Sequence, residues 1–292
     1  MKIVQRSKIW FSISSLLIII GIAFILTKGL NFGIDFTGGT QLTIQMETGF
    51  NKPAADKVVH EFATGAVTNT VDGSKYEIKA NNLNTEKVDS LVKKLTTDFK
   101  LKGNVLVSQK EIGASVGKQL TRDSVIALII AILAVLVYVI VRFETNYGIA
   151  AILALLHDIA MTVSVYAIFQ IPVDTPFIAA ILTIVGYSLN DTIVIFDRIR
   201  GNVKKMRGST PEEIANKSIA QTMTRSINTT LTTLVSIVAV YFFVPTVRDF
   251  ALPLIIGIAC GAYSSIFIAS PIWCKLKNRK KSAKKKDKKT LK

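Results

Sequence analysis

Six stretches of this chain are apolar enough, and long enough, to cross a bilayer as helices, which takes about 20 residues each. They are residues 9–26, 125–141, 149–169, 177–196, 227–244 and 252–273. Within lipid every backbone N–H and C=O must find its partner inside the protein, so helices are the expected form. Half of all residues are hydrophobic, 50%, which agrees with a polytopic membrane class. The first stretch follows Lys2, Arg6 and Lys8 and could pass for a signal peptide. Its apolar run is too long for one and no small-residue cleavage site follows, so it reads as an uncleaved anchor.

Basic residues suggest which way the helices run. With the N-terminus cytoplasmic, the inner segments are residues 1–8, 142–148, 197–226 and the tail 275–292, which together hold 22 of the 36 Lys and Arg. The short outer loops, 170–176 and 245–251, hold only Arg248. Both termini are therefore expected on the cytoplasmic side of the membrane. The lysine-rich tail fits anionic lipid beside a membrane helix better than nucleic acid. Cys260 and Cys274 lie about 21 Å apart along one helix, too far for a disulfide.

Between the first two runs lies one small soluble-looking domain. Residues 40–46 alternate as a strand, 52–64 have helical periodicity with Pro53 in the first turn, and 66–71 are strand-like. Asp72-Gly73 is a hairpin signal before a strand at 75–80. Residues 85–99 place Val88, Leu91, Val92, Leu95 and Phe99 on one helical face behind an Asn84 cap, and 103–107 return as a strand. The order β-α-β-β-α-β is that of a ferredoxin-like unit. The expected organisation is thus an N-terminal segment and first helix at 1–30, an extracytoplasmic domain at 31–123, helices two to six at 124–274 with a cytoplasmic loop at 197–226, and the tail. Residues 209–213 (Ser-Thr-Pro-Glu-Glu) form a helix start, predicting a short amphipathic helix on the cytoplasmic surface before the fifth span.

Chemistry-bearing residues are few. No metal cluster, nucleotide motif or hydrolase triad stands out, Gly38-Gly39 lacks the lysine of a P-loop, and His60 sits alone on a polar helix face. No cofactor and no enzyme activity are implied. The exception is Asp191, a carboxylate inside the fourth apolar run, where a charge is costly unless it is paired or exchanges protons. Thr183, Tyr187, Asn190 and Asp191 share one face of that helix; Arg225, Asn228, Thr229, Thr232, Thr233 and Ser236 form a stripe on the next. The two faces are expected to meet, with Arg225 as the counter-charge of Asp191. A fixed ion pair in a Ser/Thr-packed interface and a proton-switched pair both fit this pattern. His157-Asp158 is a second, isolated candidate, and Asp197 with Arg198 and Arg200 marks the inner membrane edge.

Three motifs in order, FGIDFTGGT after the first run, YSLNDTIVIFDRIR in the fourth and TRSINTTLTTL opening the fifth, resemble the SecF family. These are the smaller subunits of the bacterial SecD–SecF accessory complex of protein export, similar in architecture to resistance–nodulation–division exporters. The resemblance covers the whole chain. It implies a SecD partner, action with the SecYEG channel on exported unfolded polypeptides, and proton flow as the driving force. It places the family's carboxylate and arginine on Asp191 and Arg225. One proton crossing the membrane releases about 2.3 kcal/mol per 100 mV, enough to shift a balanced two-state element. A proton-coupled small-molecule exporter subunit and a non-transporting scaffold remain as alternatives.

Overall fold

The structure, a computed structural model, describes residues 2–71 and 73–279. Its six long apolar helices each meet the length and composition needed to cross a membrane. They are α1 (Ser7–Lys28), α5 (Ala114–Arg142), α6 (Thr145–Phe169), α7 (Thr175–Lys205), α8 (Pro211–Phe243) and α9 (Arg248–Ser264), which runs on through a π turn at Ser265–Ala269 to Arg279. The last helix and α7 are half buried, whereas α1, α5 and α8 are almost bare on their outer faces. The bundle is therefore built around α6, α7 and α9.

The small domain has strands β1 (Gly39–Gln45), β2 (Val67–Val71), β3 (Lys75–Ala80) and β4 (Leu106–Ile112), with α3 (Lys52–Phe62) and α4 (Thr85–Asp98) on one face. The antiparallel order β2-β3-β1-β4 is that of a ferredoxin-like sheet. Alternation decides which face is buried. Leu42 and Ile44 pair in register with Ile78 and Tyr76, and all four are buried beneath Val59, Leu91 and Leu95. Both helices start where the sequence places them: Asn51 accepts from the Ala54 N–H and Asn84 from the Lys87 N–H. Asp56 ties α3 to the sheet, accepting from Tyr76 and Thr68 at 2.6 Å each and from Lys52 at 2.8 Å. Burial alone would raise its pKa, but those three donors prevail and hold it below the usual value.

Several boundaries differ from the sequence reading. The last strand is Leu106–Ile112 rather than 103–107, because Gly39–Gln45 is long enough to pair with it down to Ile112. Helix α5 starts at Ala114, so residues 114–123 are helical rather than part of the domain. Helix α7 continues to Lys205 and α8 begins at Pro211, which shrinks the expected 197–226 loop to a five-residue connection. The separate amphipathic surface helix does not form. Thr210 and Glu213 make the expected capping box, but the helix then runs unbroken to Phe243. No Gly or Pro interrupts residues 212–226, and Ile214, Ala215 and Ile219 pack against Ile3, Val4 and Trp273, so nothing ends the helix early. Of the hairpin signal, Asp72 lies outside the described residues, as do residues 280–292 of the basic tail.

The FGIDFTGGT segment joins the two parts. Its short helix α2 (Ile34–Thr37) ends at Gly38 and Gly39, with φ of +80° and +147°. Side chains resist such angles. A Cβ on Gly39 would also meet the Ala80 carbonyl at 2.6 Å, so only glycine lets the chain turn into β1 at this point.

Candidate functional site

Asp191 is buried between α7 and α8, and Thr230 Oγ1 donates to its Oδ2 at 3.3 Å. Ser226, one turn before Thr230, is buried with no hydrogen-bond partner of its own and close to the same carboxylate. The expected Asp191–Arg225 contact is not present. Arg225 is near enough to act on Asp191 through the field but makes no ion pair with it. It lies on the exposed side of α8 and opens onto a crevice of about 340 Å³, lined also by Asp197, Arg198, Asn202, Lys205 and Gln221. The reason is the rotation of α8. Thr222, Ser226 and Thr230 turn toward the protein, so Arg225, one residue off that row, turns away.

The polar faces therefore meet only in part. The Tyr187 hydroxyl donates to Thr233 Oγ1 at 3.0 Å, with the Thr229 carbonyl oxygen 3.3 Å away. Thr232 bonds back to the Asn228 and Thr229 carbonyls of its own helix, and Thr183 to that of Ala179. Asn190, Asn228 and Thr232 face outward, exposed, beside Arg225. Uncovered amides and a guanidinium at this depth would be costly against lipid. This strip of α7 and α8 is built for a protein neighbour or for water.

Asp158, weak as a sequence signal, is the most enclosed carboxylate of the bundle, at 0% exposure. Its Oδ2 accepts from Ser188 of α7 at 2.5 Å and from Ser264 of α9 at 2.7 Å, and His157 Nδ1 lies 3.0 Å from its Oδ1. A second layer joins Thr192 to Ser265 at 2.7 Å. Small residues permit this approach: a Cβ on Gly257 would strike Ile184, and one on Gly261 would touch Ser188 at 3.1 Å. The Gly257–Gly261 spacing, a small-xxx-small pair, was the available signal for this interface. The His157 ring stacks on Tyr263, whose hydroxyl donates to the Trp10 carbonyl of α1 at 2.8 Å. Asp197 sits apart at the far end of α7, 3.1 Å from Arg200 and 3.7 Å from Arg142.

Where FGIDFTGGT meets the bundle, Phe32 pairs with Val173 and Asp35 Oδ2 accepts from the Thr175 N–H at 3.0 Å, at the start of α7. Two family models fall on these features: "Protein export membrane protein SecD/SecF, C-terminal" matches residues 91–279, and the SecD/SecF GG motif matches residues 23–49. The chain belongs to the SecD/SecF family. Among family members, the protein translocase subunit SecF of Sebaldella termitidis is 38% identical over 97% of this chain and 94% of its own length. The protein translocase subunit SecDF of Thermus thermophilus is 37% identical over 90% of this chain but only 36% of the longer relative. The crystal structure of SecDF from Thermus thermophilus, titled a translocon-associated membrane protein, superposes with a TM-score of 0.82 at 33% identity, covering 95% of this chain and 39% of that one. The SecD/SecF family motif at residues 23–49 thus coincides with the joint between domain and bundle.

Proposed function

We propose that this chain is the smaller half of a SecD–SecF pair that uses proton flow to help exported polypeptides through the SecYEG channel. The observation that carries the proton role is Asp191: a carboxylate buried inside a membrane helix, held by one threonine hydroxyl and closed by no ion pair. Such a group exchanges a proton with less rearrangement than a fully paired one. Arg225 then acts through its field and through the crevice beside it, where water can reach the loop end of α7. Protonation of Asp191 cancels the attraction and lets α7 and α8 repack.

The partner reading rests on two supports. SecDF relatives in Thermus thermophilus and Bacillus subtilis carry a region like this chain within a chain about two and a half times as long. The exposed polar strip of Asn190, Arg225, Asn228 and Thr232 gives such a partner a face to cover. In this reading the termini and the α7–α8 connection are cytoplasmic in the inner membrane, and residues 31–113 form the extracytoplasmic unit. The chain has no enzyme activity of its own, and its tail meets anionic lipid. A small-molecule exporter is not favoured, because the relatives are translocase subunits.

Asp191→Asn tests the reading, since it removes the titratable proton and keeps size and polarity. In cells depleted of the native protein it should insert at normal levels and fail to stimulate export. Full export activity would remove the proton role and leave Asp191 as a packing residue.

A further inference from the structure

A single ammonium on the sheet of the small domain holds the ends of two membrane helices. Lys79 of β3 places Nζ 3.2 Å from Asp174 Oδ2 and 3.1 Å from Asp249 Oδ2. Asp174 immediately precedes α7, and Asp249 lies in the first turn of α9. Among the described residues no other cation reaches either carboxylate. Arg248, the nearest alternative in sequence, is committed to the carbonyls of Tyr241 and Phe242 at 2.9 and 3.4 Å. Burial alone would lower the Lys79 pKa, but Asp249 and Asp174 outweigh it and hold the ammonium charged.

The contact is enclosed at its Asp174 end and open to solvent at Asp249, whose side chain is 53% exposed. Asp174 is 4% exposed, and its second oxygen, Oδ1, is buried without a hydrogen bond. That oxygen lies directly on Gly33, where any Cβ would collide with it, so the FGIDFTGGT segment leaves room for this carboxylate. Beside the clamp, a cavity of about 240 Å³ separates Asn69 and Glu77 of the sheet from Tyr241 and Leu252 of the bundle. The domain is thus not welded to the helices around Lys79; a gap adjoins it.

Helix α7 carries Asp191 about 26 Å further along its axis, and α9 carries Ser264, which holds Asp158. Any relative shift of α7 and α9 must separate Asp174 from Asp249 or draw them together. We propose that Lys79 is the positioning residue through which the small domain follows that shift: one ammonium clamped between Asp174 and Asp249 converts movement of two helix ends into movement of the sheet. This rests on the proton-driven reading above and adds the residues that connect it to the domain.

The experiment uses the full chain with its partner in membranes. Cysteines at Asn69 and Leu252, on opposite walls of the cavity, are joined with a short bismaleimide, with and without an uncoupler, while export is followed in parallel. Cross-linking in the parent should change on adding the uncoupler. Lys79→Gln, which leaves the buried Asp174 and the more exposed Asp249 facing each other unneutralised, should lower cross-linking at least about tenfold in both conditions and reduce export to the Asp191→Asn level. Lys79→Arg should restore both. Should Lys79→Gln fail to accumulate, Asp249→Asn, at the exposed end of the clamp, should give an intermediate loss of both. Parent-like cross-linking in Lys79→Gln and Asp249→Asn would overturn the clamp. Lost cross-linking with full export would overturn its role in coupling. Export insensitive to the uncoupler in the parent would instead sink the proton-driven reading, while the cross-linking yields would still decide the clamp.

Discussion

Helix α7 has a carboxylate on each flank, and the two are housed in opposite ways. On the α9 side Asp158 receives two serine hydroxyls and faces a histidine, with no exposed surface. On the α8 side Asp191 has one threonine donor at 3.3 Å, a serine without a partner, and a crevice beside the neighbouring arginine. Both oxygens of Asp158 are engaged between three helices, although His157 Nε2 is buried without a partner, and a carboxylate held in this way rigidifies what it joins. An incompletely satisfied one can trade partners. In the proposed reading, Asp158 therefore holds α6, α7 and α9 together, and Asp191 is the carboxylate that exchanges the proton.

The largest effect that would break this contrast is at Asp158. Asp158→Ala strands the Ser188 and Ser264 hydroxyls and His157 in a dry site, and should destabilise the bundle by about 3 kcal/mol or more. Thermal unfolding in detergent measures it; an unchanged midpoint would make the two carboxylates equivalent. Gly257→Ala should come next, at about 1–3 kcal/mol in the same assay, because its methyl group strikes Ile184 across the α7–α9 contact.

A third carboxylate, outside the membrane, sharpens the comparison. Asp56 has three donors like a structural group, but its pKa is depressed, so its sign is fixed. Its contribution is present above the ordinary carboxylate value of 3.8 and is lost as pH falls through the lower folded value. Residues 39–112 should fold alone with no metal or disulfide, and Asp56→Asn should cost that fragment about 1 kcal/mol at neutral pH. The gap between variant and parent should close toward pH 3. Denaturant unfolding at both pH values checks it, and a gap that widens on acidification would contradict the assignment.

The smallest stability effects belong to the α8 side. Arg225→Gln, at an exposed residue without an ion pair, should shift stability by no more than about 0.5 kcal/mol while reducing uncoupler-sensitive export. Membrane abundance and export assays separate the two. A large loss of abundance would mean that Arg225 is a structural partner of Asp191 after all.

Much of this was legible in the sequence, for reasons that also explain what was not. The caps Asn84 and Thr210, the helix start at Lys52 and the alternation around Leu42 and Ile44 are local signals, and they sit where spacing placed them. Charges were misleading as helix ends. Helix α7 runs on through Arg198 and Gly201 to Lys205, and α8 starts at Pro211 and runs through Glu212 and Lys217, because charged residues alone do not end a helix that leaves the apolar layer. The Asp191 environment was half legible. Helix α8 carries polar residues on two adjacent rows, Arg225–Asn228–Thr232 and Thr222–Ser226–Thr230, and periodicity alone does not say which row faces α7. The Asp158 cluster was hidden because its donors, Ser188 and Ser264, and the glycines beside them read as small residues within apolar runs. They become a site only when three helices converge.

The most direct test of the contrast between the two carboxylates is pH-step infrared difference spectroscopy of the chain with its partner in liposomes, read at the protonated-carboxyl band. The expected result is a band that appears on acidifying one side of the membrane, vanishes in Asp191→Asn and persists in Asp158→Asn. A band that survives in Asp191→Asn and is lost in Asp158→Asn would reverse the roles assigned to the two flanks of α7.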